Sequence, residues 1–278
     1  MELSIADVWY HNFEVEMAKI EVIVAVDTEF TGFILRTPRN ASERRLYSDV
    51  KFNVDRMKIT QIDITLFDNN SDSCGTWQFN LRKSPGVHLR KNTEKGMNKE
   101  GVDAYLLVQK FKEVIALHKI KWVTFHGLHD LALMMKLVSG DEMPHTRMEF
   151  VQRLSLIFFE VYDVKVMARD CPGLHNYEVV LEGLGKFLKA RRTGEAHQAG
   201  SDSMLTAIAF CSMKDGYGLR EEDYEGWLYG IGANIEWRRS QPMQYYCPIE
   251  YEAATVHGHC LLFDSLGRQF EHLLLIGS

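Results

Sequence analysis

The sequence lacks the features that mark secreted, membrane-spanning and disulfide-rich proteins. Its 278 residues include five cysteines, with no CxxC pair among them. An odd number of scattered cysteines is typical of reduced thiols, so it predicts a cytosolic or nuclear protein without a disulfide framework. No stretch reaches the uninterrupted apolar length of a membrane span. The N-terminal stretch carries acids early and has no apolar centre, which argues against a signal peptide.

Motifs of several enzyme classes are also missing. "GSDS" begins at Gly200, but the Gly-x-Ser-x-Gly nucleophile elbow is absent. His126, His129 and His145 have no cysteine nearby, so a zinc site is not favoured. The formal net charge of −6 argues against a general nucleic-acid coat, which would be basic. It does not exclude an enzyme that acts on nucleic acid, because carboxylates that hold divalent cations lower the formal charge.

The alternation of predicted strands and helices predicts an α/β fold, a layered sheet with helices on both faces. Strands are predicted at "EVIVAVDTEF", "MKITQIDITLFD", "GTWQFNL", "IKWVTFH" and "EVYDVKVM". The turn-rich "NNSDSCG" predicts a hairpin between the second and third strands. Helices are predicted at "EVEMAKI", from about Val102 to His118, at "DLALMMKLV" and "MEFVQRLSLIFF", along Tyr177, Leu181, Leu184 and Leu188, and after "HQAGSD". The composition changes after Gly232, which predicts a domain over 1–232 and a C-terminal appendage over 233–278.

Two acids end the first predicted strand. Asp27 and Glu29 are two residues apart, and this spacing puts both side chains on one face of a strand. Two carboxylates about 4 Å apart repel by roughly 4 kcal/mol at an effective dielectric near 20. The pair therefore indicates a cation between them, unless the strand end simply places two hydrated acids in water.

Two further acids begin predicted helices. Asp130 follows the strand "IKWVTFH" through a turn at Gly127, and Asp202 follows Ser201, a predicted N-cap. Each alone is also explained as a first-turn acid that complements the helix dipole. Together, four carboxylates at the carboxyl ends of strands predict a site for two divalent cations, magnesium or manganese rather than zinc. Such a pair stabilises the attacking and leaving oxygens of a phosphoryl displacement.

Other side chains near these acids are candidates for chemistry or substrate contact. His197 lies in the loop that leads to Asp202, where it suits a general base or a loop histidine that bonds the main chain. Thr28 and Phe30, within "DTEF", are predicted to contact substrate. Phe30 is favoured over Phe33 for stacking on a base, because core packing explains Phe33 equally well.

The order of these motifs resembles a known family. Asp-x-Glu, then Asp, then His-x-x-x-x-Asp is similar to the histidine-bearing branch of the DEDD 3′-to-5′ exonucleases. "VAVDTEFTG", "NVDRMKITQIDITLF", "TWQFN", "WVTFHGLHD", "VYDVKVM", "HQAGSDSMLTAIAF" and "LYGIG" occur in the order of the ribonuclease subunit of the CCR–NOT deadenylase complex. The resemblance covers about residues 6 to 232.

The resemblance implies a ribonuclease-H-like α/β fold with a mixed central sheet. It also implies a magnesium- or manganese-dependent enzyme that removes adenosines from messenger RNA tails as 5′-AMP. Asp27, Glu29, Asp130 and Asp202 match the metal-binding acids, and His197 matches the general base. The implied partners are the poly(A) tail, a large helical scaffold subunit and a second deadenylase with leucine-rich repeats, in the cytoplasm and nucleus. Adenosine preference follows from the resemblance alone, because no residue spacing shows a base-reading code.

Departures from the family pattern leave alternatives open. Thr31 stands where relatives usually have proline, and a change of local shape is the expected effect. The segment Leu81 to Gly101 is short and basic, with Arg82, Lys83, Arg90, Lys91 and Lys95. It is interpreted as a solvated surface or as a contact for RNA phosphates. A scaffold or adaptor with weak catalysis, and a DEDD exonuclease that acts on another nucleic acid, are the alternative functions.

Overall fold

A computed structural model describes most of the first 231 residues and three short strands beyond them. The described residues are 22–38, 40–67, 73–81, 104, 107–109, 111–112, 120–174, 179–190, 199–231, 254–256, 259–263 and 269–270. They belong to two compact units, Met1–Glu236 and Trp237–Ser278. The domain boundary predicted after Gly232 stays a prediction.

Five strands of the first unit form a mixed sheet, as predicted. They are β1 (Val22–Phe30), β2 (Ile59–Phe67), β3 (Ser73–Asn80), β4 (Ile120–Thr124) and β5 (Glu160–Asp163). The spatial order is β3-β2-β1-β4-β5. β2 runs antiparallel to β1 and β3, whereas β4 is parallel to β1 and β5 is parallel to β4. The carboxyl ends of β1, β4 and β5 therefore share one edge of the sheet.

Helices cover both faces of this sheet. They are α1 (Glu43–Arg56), α2 (Leu128–Ser139), α3 (Arg147–Ile157), α4 (Val164–Met167), α5 (Leu181–Phe187) and α6 (Ala199–Tyr217), followed by a 3-10 turn at Glu221–Asp223. Residues 104, 107–109 and 111–112 are also helical, inside the helix predicted from Val102 to His118, and the ends of that helix lie outside the described residues. "EVEMAKI" lies outside them too. No helix in the described part of the chain is long and apolar enough to cross a membrane.

Each face of β1 belongs to a different core. Val24 and Val26 pack with side chains of α1, α2 and α3, whereas Ile23 and Ala25 pack with side chains of α4, α5 and α6. A strand buried on both faces has no polar alternation, which explains the continuous apolar run before Asp27. Full burial of a valine or isoleucine stabilises a fold by roughly 1.5–3 kcal/mol, so these two cores fix the position of β1.

Three local predictions were wrong. "EVYDVKVM" is not one strand, because the Asp163 carboxylate accepts the Lys165 N–H and starts α4. The strand predicted to end at His126 ends at Thr124. Ser201 is not an N-cap, since α6 already begins at Ala199, although Asp202 remains in the first turn.

Helix α1 was not predicted from the sequence. Ser42 caps it by accepting the Arg45 N–H at 3.3 Å, and Val50 and Val54 bury its apolar face. The chain between β1 and α1 begins at Thr31, whose N–H donates to the Lys58 carbonyl at 3.1 Å. Proline has no N–H and could not make this bond, so Thr31 adds a contact that the proline expected from the resemblance would remove.

The second unit contains a small antiparallel sheet. Its strands are β6 (Ala254–Val256), β7 (His259–Phe263) and β8 (Gln269–Phe270), with β7 in the centre. These strands lie in the region that was predicted from the sequence to be an appendage of unknown structure.

Candidate active site

Two predicted acids, and one that was not predicted, lie on one face of the sheet. Asp27 pairs with Asp63 on the neighbouring strand, and Glu29 pairs with Gln61. Residues directly opposite each other in an antiparallel pair project to the same side, so Asp27, Glu29 and Asp63 share the α6 face. Asp63 is fully buried, whereas Asp27 and Glu29 are partly exposed.

The other two acids come from helices on opposite faces. Asp202 lies in the first turn of α6, and the start of α6 is held against β2 by a 2.9 Å hydrogen bond between the Ser203 and Thr65 hydroxyls. Asp130 lies in the first turn of α2, on the other side of the sheet. Thr28 connects it to β1, because its N–H and its hydroxyl donate to Asp130 Oδ1 at 3.1 and 2.6 Å.

The strand pairing of Asp27 with Asp63, the Thr28–Asp130 hydrogen bond and the Ser203–Thr65 contact bring these acids together at the end of β1. Burial raises the pKa of Asp27 well above its ordinary value, and the charges of Asp130, Asp202, Glu29 and Asp63 raise it further. Carboxylates affect one another this way only at short range in a poorly solvated site. The structure therefore brings together all four acids predicted as metal ligands, Asp27, Glu29, Asp130 and Asp202, around the end of β1.

Asp63 is a fifth carboxylate of this cluster and was missed in the sequence. Burial raises its pKa to about 8, with smaller contributions from Glu29 and Asp202, while a hydrogen bond from Gln61 opposes the rise. The Gln61 amide donates to its two oxygens at 3.3 and 3.1 Å. The sequence pattern that could have identified Asp63 is "QIDIT". In it, polar Gln61, Asp63 and Thr65 alternate with isoleucines in a strand that is buried along most of its length.

The ionised form of Asp130 is stabilised more than that of Asp63, whose pKa is higher. Burial raises the Asp130 pKa to about 6, and the two hydrogen bonds from Thr28 and one from the main chain of Asp130 lower it, while the charge of Asp163 raises it. A carboxylate that accepts hydrogen bonds is easier to ionise than one that faces only other acids. Thr28 therefore fixes both the position and the charge of Asp130.

The donor chemistry of the cluster fits hard divalent cations. Its side chains offer carboxylate oxygens, which suit magnesium or manganese, and a divalent ion would offset the mutual repulsion of the acids. Among the described residues, no group of three or more histidine, cysteine, aspartate or glutamate side chains is arranged closely enough to hold a metal ion without movement. The residues that would hold the ions are Asp27, Glu29, Asp130 and Asp202.

The remaining predicted site residues have different outcomes. His197 lies outside the described residues, so its role as a general base stays a prediction. Thr28 is 5% exposed and bonded to Asp130, a positioning role that the sequence did not predict. Direct contact of Thr28 with substrate also stays a prediction.

Phe30 and Phe33 lie in different surroundings, and contact of either ring with substrate stays a prediction. Phe30, favoured for stacking on a base, packs against the core formed with α1, α2 and α3. Phe33 is 42% exposed and lies between Phe30 and His129, with ring centroids 5.3 and 4.8 Å away. Phe33 follows the end of β1 in an irregular segment, so strand alternation does not determine its direction.

The five-stranded mixed sheet with its helices is the fold of ribonuclease-H-like exonucleases, and comparison with known proteins identifies the family. The family described as "CAF1 family ribonuclease" matches residues 82–210. "Probable CCR4-associated factor 1 homolog 7" of Arabidopsis thaliana is 32% identical over 265 residues, covering 83% of this chain and 94% of that protein. The chain belongs to the CAF1 family of ribonucleases.

Solved structures show the same fold. S. pombe Pop2p in its Mg²⁺- and Mn²⁺-bound form has a TM-score of 0.68 and 26% identity, over 80% of this chain and 97% of Pop2p. Yeast CAF1, co-crystallised with the NOT1 MIF4G domain, matches with a TM-score of 0.67 and 21% identity, over 81% of this chain and 93% of the matched chain.

Proposed function

We propose that this chain is a divalent-metal-dependent 3′-to-5′ exoribonuclease that shortens poly(A) and releases 5′-AMP. The observation that carries the proposal is the convergence of Asp130 and Asp202, from helices on opposite faces of the sheet, on Asp27 at the end of β1. Membership of a ribonuclease family and the Mg²⁺- and Mn²⁺-bound relative support it. Preference for adenosine rests on the family resemblance.

The residues of this chain would act as follows. Asp27, Glu29, Asp130 and Asp202 would hold two divalent ions, which supply positive charge at the attacking and leaving oxygens of the phosphodiester. Thr28 orients Asp130 through its two hydrogen bonds. His197 would accept the proton of the attacking water, since an imidazole with an ordinary pKa is suited to that transfer near neutral pH.

We also propose that the protein acts within a CCR–NOT assembly, in cytoplasm and nucleus. Relatives are named CCR4-associated factors, and the yeast CAF1 structure contains a NOT1 MIF4G domain. The proposed partners are a helical scaffold subunit and a second deadenylase with leucine-rich repeats. Co-purification of the full chain with a MIF4G scaffold domain tests the first of these contacts.

The first test of activity is a time course on a 5′-labelled RNA that ends in adenosines, with magnesium, manganese or EDTA. We expect a metal-dependent ladder that shortens from the 3′ end, and Asp27→Asn to lower the rate by roughly 10³-fold or more, about 4 kcal/mol of transition-state stabilisation. Asp49→Asn is the control, because Asp49 is a buried aspartate outside the acid cluster that lies on α1 beside Arg45. This control should keep the wild-type rate.

Substrate choice is tested with the same assay. RNA that ends in other nucleotides and DNA of equal sequence compete with the adenosine substrate, and the 2′-hydroxyl separates an RNA enzyme from a DNA enzyme. Equal cleavage of all RNA ends would contradict adenosine preference and leave a general exoribonuclease. No cleavage under any metal, together with capture by the scaffold domain, would contradict the enzyme proposal in favour of an adaptor.

A further inference from the structure

A group of cationic and aromatic side chains lies beside the acid cluster. It consists of His126, Lys165, Arg169 and Tyr229, here named the basic–aromatic cluster. The Tyr229 ring is in its centre, with Lys165 Nζ 4.4 Å and Arg169 Cζ 4.8 Å from the ring centroid. The His126 ring meets Tyr229 edge-on, with 4.7 Å between centroids. Two cations and an imidazole thus surround one aromatic ring.

Asp163 assembles this cluster from three separate segments. Its Oδ1 accepts the His126 N–H at 2.8 Å and the Lys165 N–H at 3.0 Å, and its Oδ2 accepts the Tyr229 N–H at 3.0 Å. Asp163 is fully buried, and its carboxylate oxygens bind the main chain of the cluster. His126 has a φ of 60°, an uncommon conformation for a residue with a side chain, and this strain is of the kind that clusters at functional sites.

The turn between β4 and α2 fixes the direction of His126. A Cβ at position 127 would lie 2.3 Å from Thr124 Cβ, so only glycine allows this close approach. The turn places His126 over the carboxyl end of β4 while the next residues begin α2. The site is therefore built by the main chain and does not depend on flexible surface side chains alone.

The charge of Lys165 has no counter-ion in the described part of the chain. Lys165 is only 8% exposed, and its ammonium makes neither an ion pair nor a hydrogen bond there. Its neighbours are the rings of Tyr229 and, at 5.7 Å, Phe125. Contact with an aromatic face offsets less than the cost of burying an ammonium, and Arg169 brings a second positive charge to the same ring. This arrangement offers positive charge to an added anion.

The sign of the charge changes along the carboxyl edge of the sheet. β4 lies between β1, which ends in the acids, and β5, which ends in Asp163. Asp130 lies in the first turn of α2, directly after the turn that contains His126. The basic–aromatic cluster therefore neighbours the acid cluster, and one polyanionic chain with bound divalent ions could contact both.

We propose that the basic–aromatic cluster binds a backbone phosphate of the single-stranded RNA whose 3′ end lies at the acid cluster. This inference rests on the proposed exoribonuclease function. Lys165 provides a point charge, and the planar guanidinium of Arg169 matches two phosphate oxygens. Desolvation and the Lys165 charge, with a smaller effect of His129, lower the pKa of His126 to about 4. His126 is therefore neutral at pH 7 and offers a hydrogen bond, not a charge.

The test is RNA binding by fluorescence anisotropy over a range of salt concentrations. All proteins carry Asp27→Asn, so the labelled RNA survives in magnesium. Lys165→Gln and Arg169→Gln are compared with Arg153→Gln, an exposed helical arginine paired with Asp141 at 3.6 Å. We expect each cluster variant to bind about fivefold or more weakly and to lose roughly 0.7 from the salt slope, the value for one contact with a single strand.

A charge-conserving variant, Lys165→Arg, and a second ligand, AMP, provide further controls. Lys165→Arg retains the charge and should keep the salt slope. Arg169 is exposed, so its variant tests the cluster even if Lys165→Gln unfolds, and thermal melts identify that case. AMP has no internal phosphodiester, so its affinity should be the same in Arg169→Gln and Arg153→Gln. An equal loss for AMP would contradict the assignment to a backbone phosphate.

The outcomes separate this inference from the proposed function. If the wild-type protein degrades RNA while the cluster variants match Arg153→Gln in affinity and salt slope, the phosphate site is wrong and the enzyme proposal stands. If the wild-type protein neither binds nor degrades RNA, the exoribonuclease proposal fails and the phosphate site fails with it.

Discussion

Asp163 and Asp63 are both fully buried aspartates in neighbouring parts of one sheet, yet their surroundings are opposite. Asp163 accepts the main-chain N–H groups of His126, Lys165 and Tyr229. Asp63 faces Asp27 across the strand pair, and its described hydrogen bonds come from a single side-chain amide, that of Gln61.

The difference between them separates a structural acid from a candidate functional one. A carboxylate that satisfies several N–H donors holds a fold together, and removing it leaves those donors unpaired. A carboxylate that faces other carboxylates destabilises the protein unless a cation joins them. The following predictions test this contrast through stability, pH dependence and rate.

The largest effect is expected at Asp163. Asp163→Ala leaves these main-chain N–H groups without their acceptor, so we expect the free energy of unfolding to fall by about 3–5 kcal/mol, or the protein not to fold. Urea unfolding measures the change. Asp141→Ala, at a side chain 67% exposed, is the control and should change stability little. A loss at Asp163 no larger than at Asp141 would remove the structural role assigned to Asp163.

A smaller effect of opposite sign is expected at Asp63 in metal-free buffer. Its pKa is about 8 in the folded protein against an ordinary 3.8, so the folded state keeps a proton that the unfolded chain releases. The stabilisation is full below the lower value, falls as pH rises through this window, and is gone above about 8. Asp63→Asn should flatten this fall and raise stability at pH 8 by about 1–3 kcal/mol.

Thermal melts in EDTA, from about pH 5 to about pH 9, measure the Asp63 effect. Asp49→Asn serves again as the matched buried aspartate and should keep the wild-type pH profile. Adding magnesium should stabilise the wild-type protein, because a ligand that binds only the folded state raises its stability. A steeper pH profile in Asp63→Asn than in the wild-type protein would contradict the assigned pKa direction.

The smallest effect is expected at Thr28. Thr28→Val removes the 2.6 Å hydroxyl bond to Asp130 and keeps the N–H bond, so we expect a loss of about 1 kcal/mol, near fivefold in rate. The acidic limb of the pH–rate profile should move to higher pH, since this bond lowers the Asp130 pKa. Thr28→Ser keeps the hydroxyl and should restore the profile. An unchanged profile in Thr28→Val would show that the bond does not control Asp130.

Much of the sheet and of the acid cluster could be predicted from local sequence. The run before Asp27 is apolar because β1 is buried on both faces, and the two-residue spacing to Glu29 defines the face that these acids share. Asp130 and Asp202 were predicted because each opens a helix after a strand or a loop. Helix α1 was missed, since most residues of "ERRLYSDVKFNVDR" are polar or charged and only a few of them are buried.

The order of residues along the chain was enough to establish which side chains are acidic, which strand they end and which family they resemble. Packing in three dimensions was needed to show that Asp63 stands opposite Asp27, that Thr28 holds Asp130, and that Asp163 gathers His126, Lys165 and Tyr229. The reason is physical: strand register and contacts between residues far apart in sequence depend on how elements pack, and spacing along the chain carries no record of them. Local period and charge determine a residue's face, while packing determines its partner.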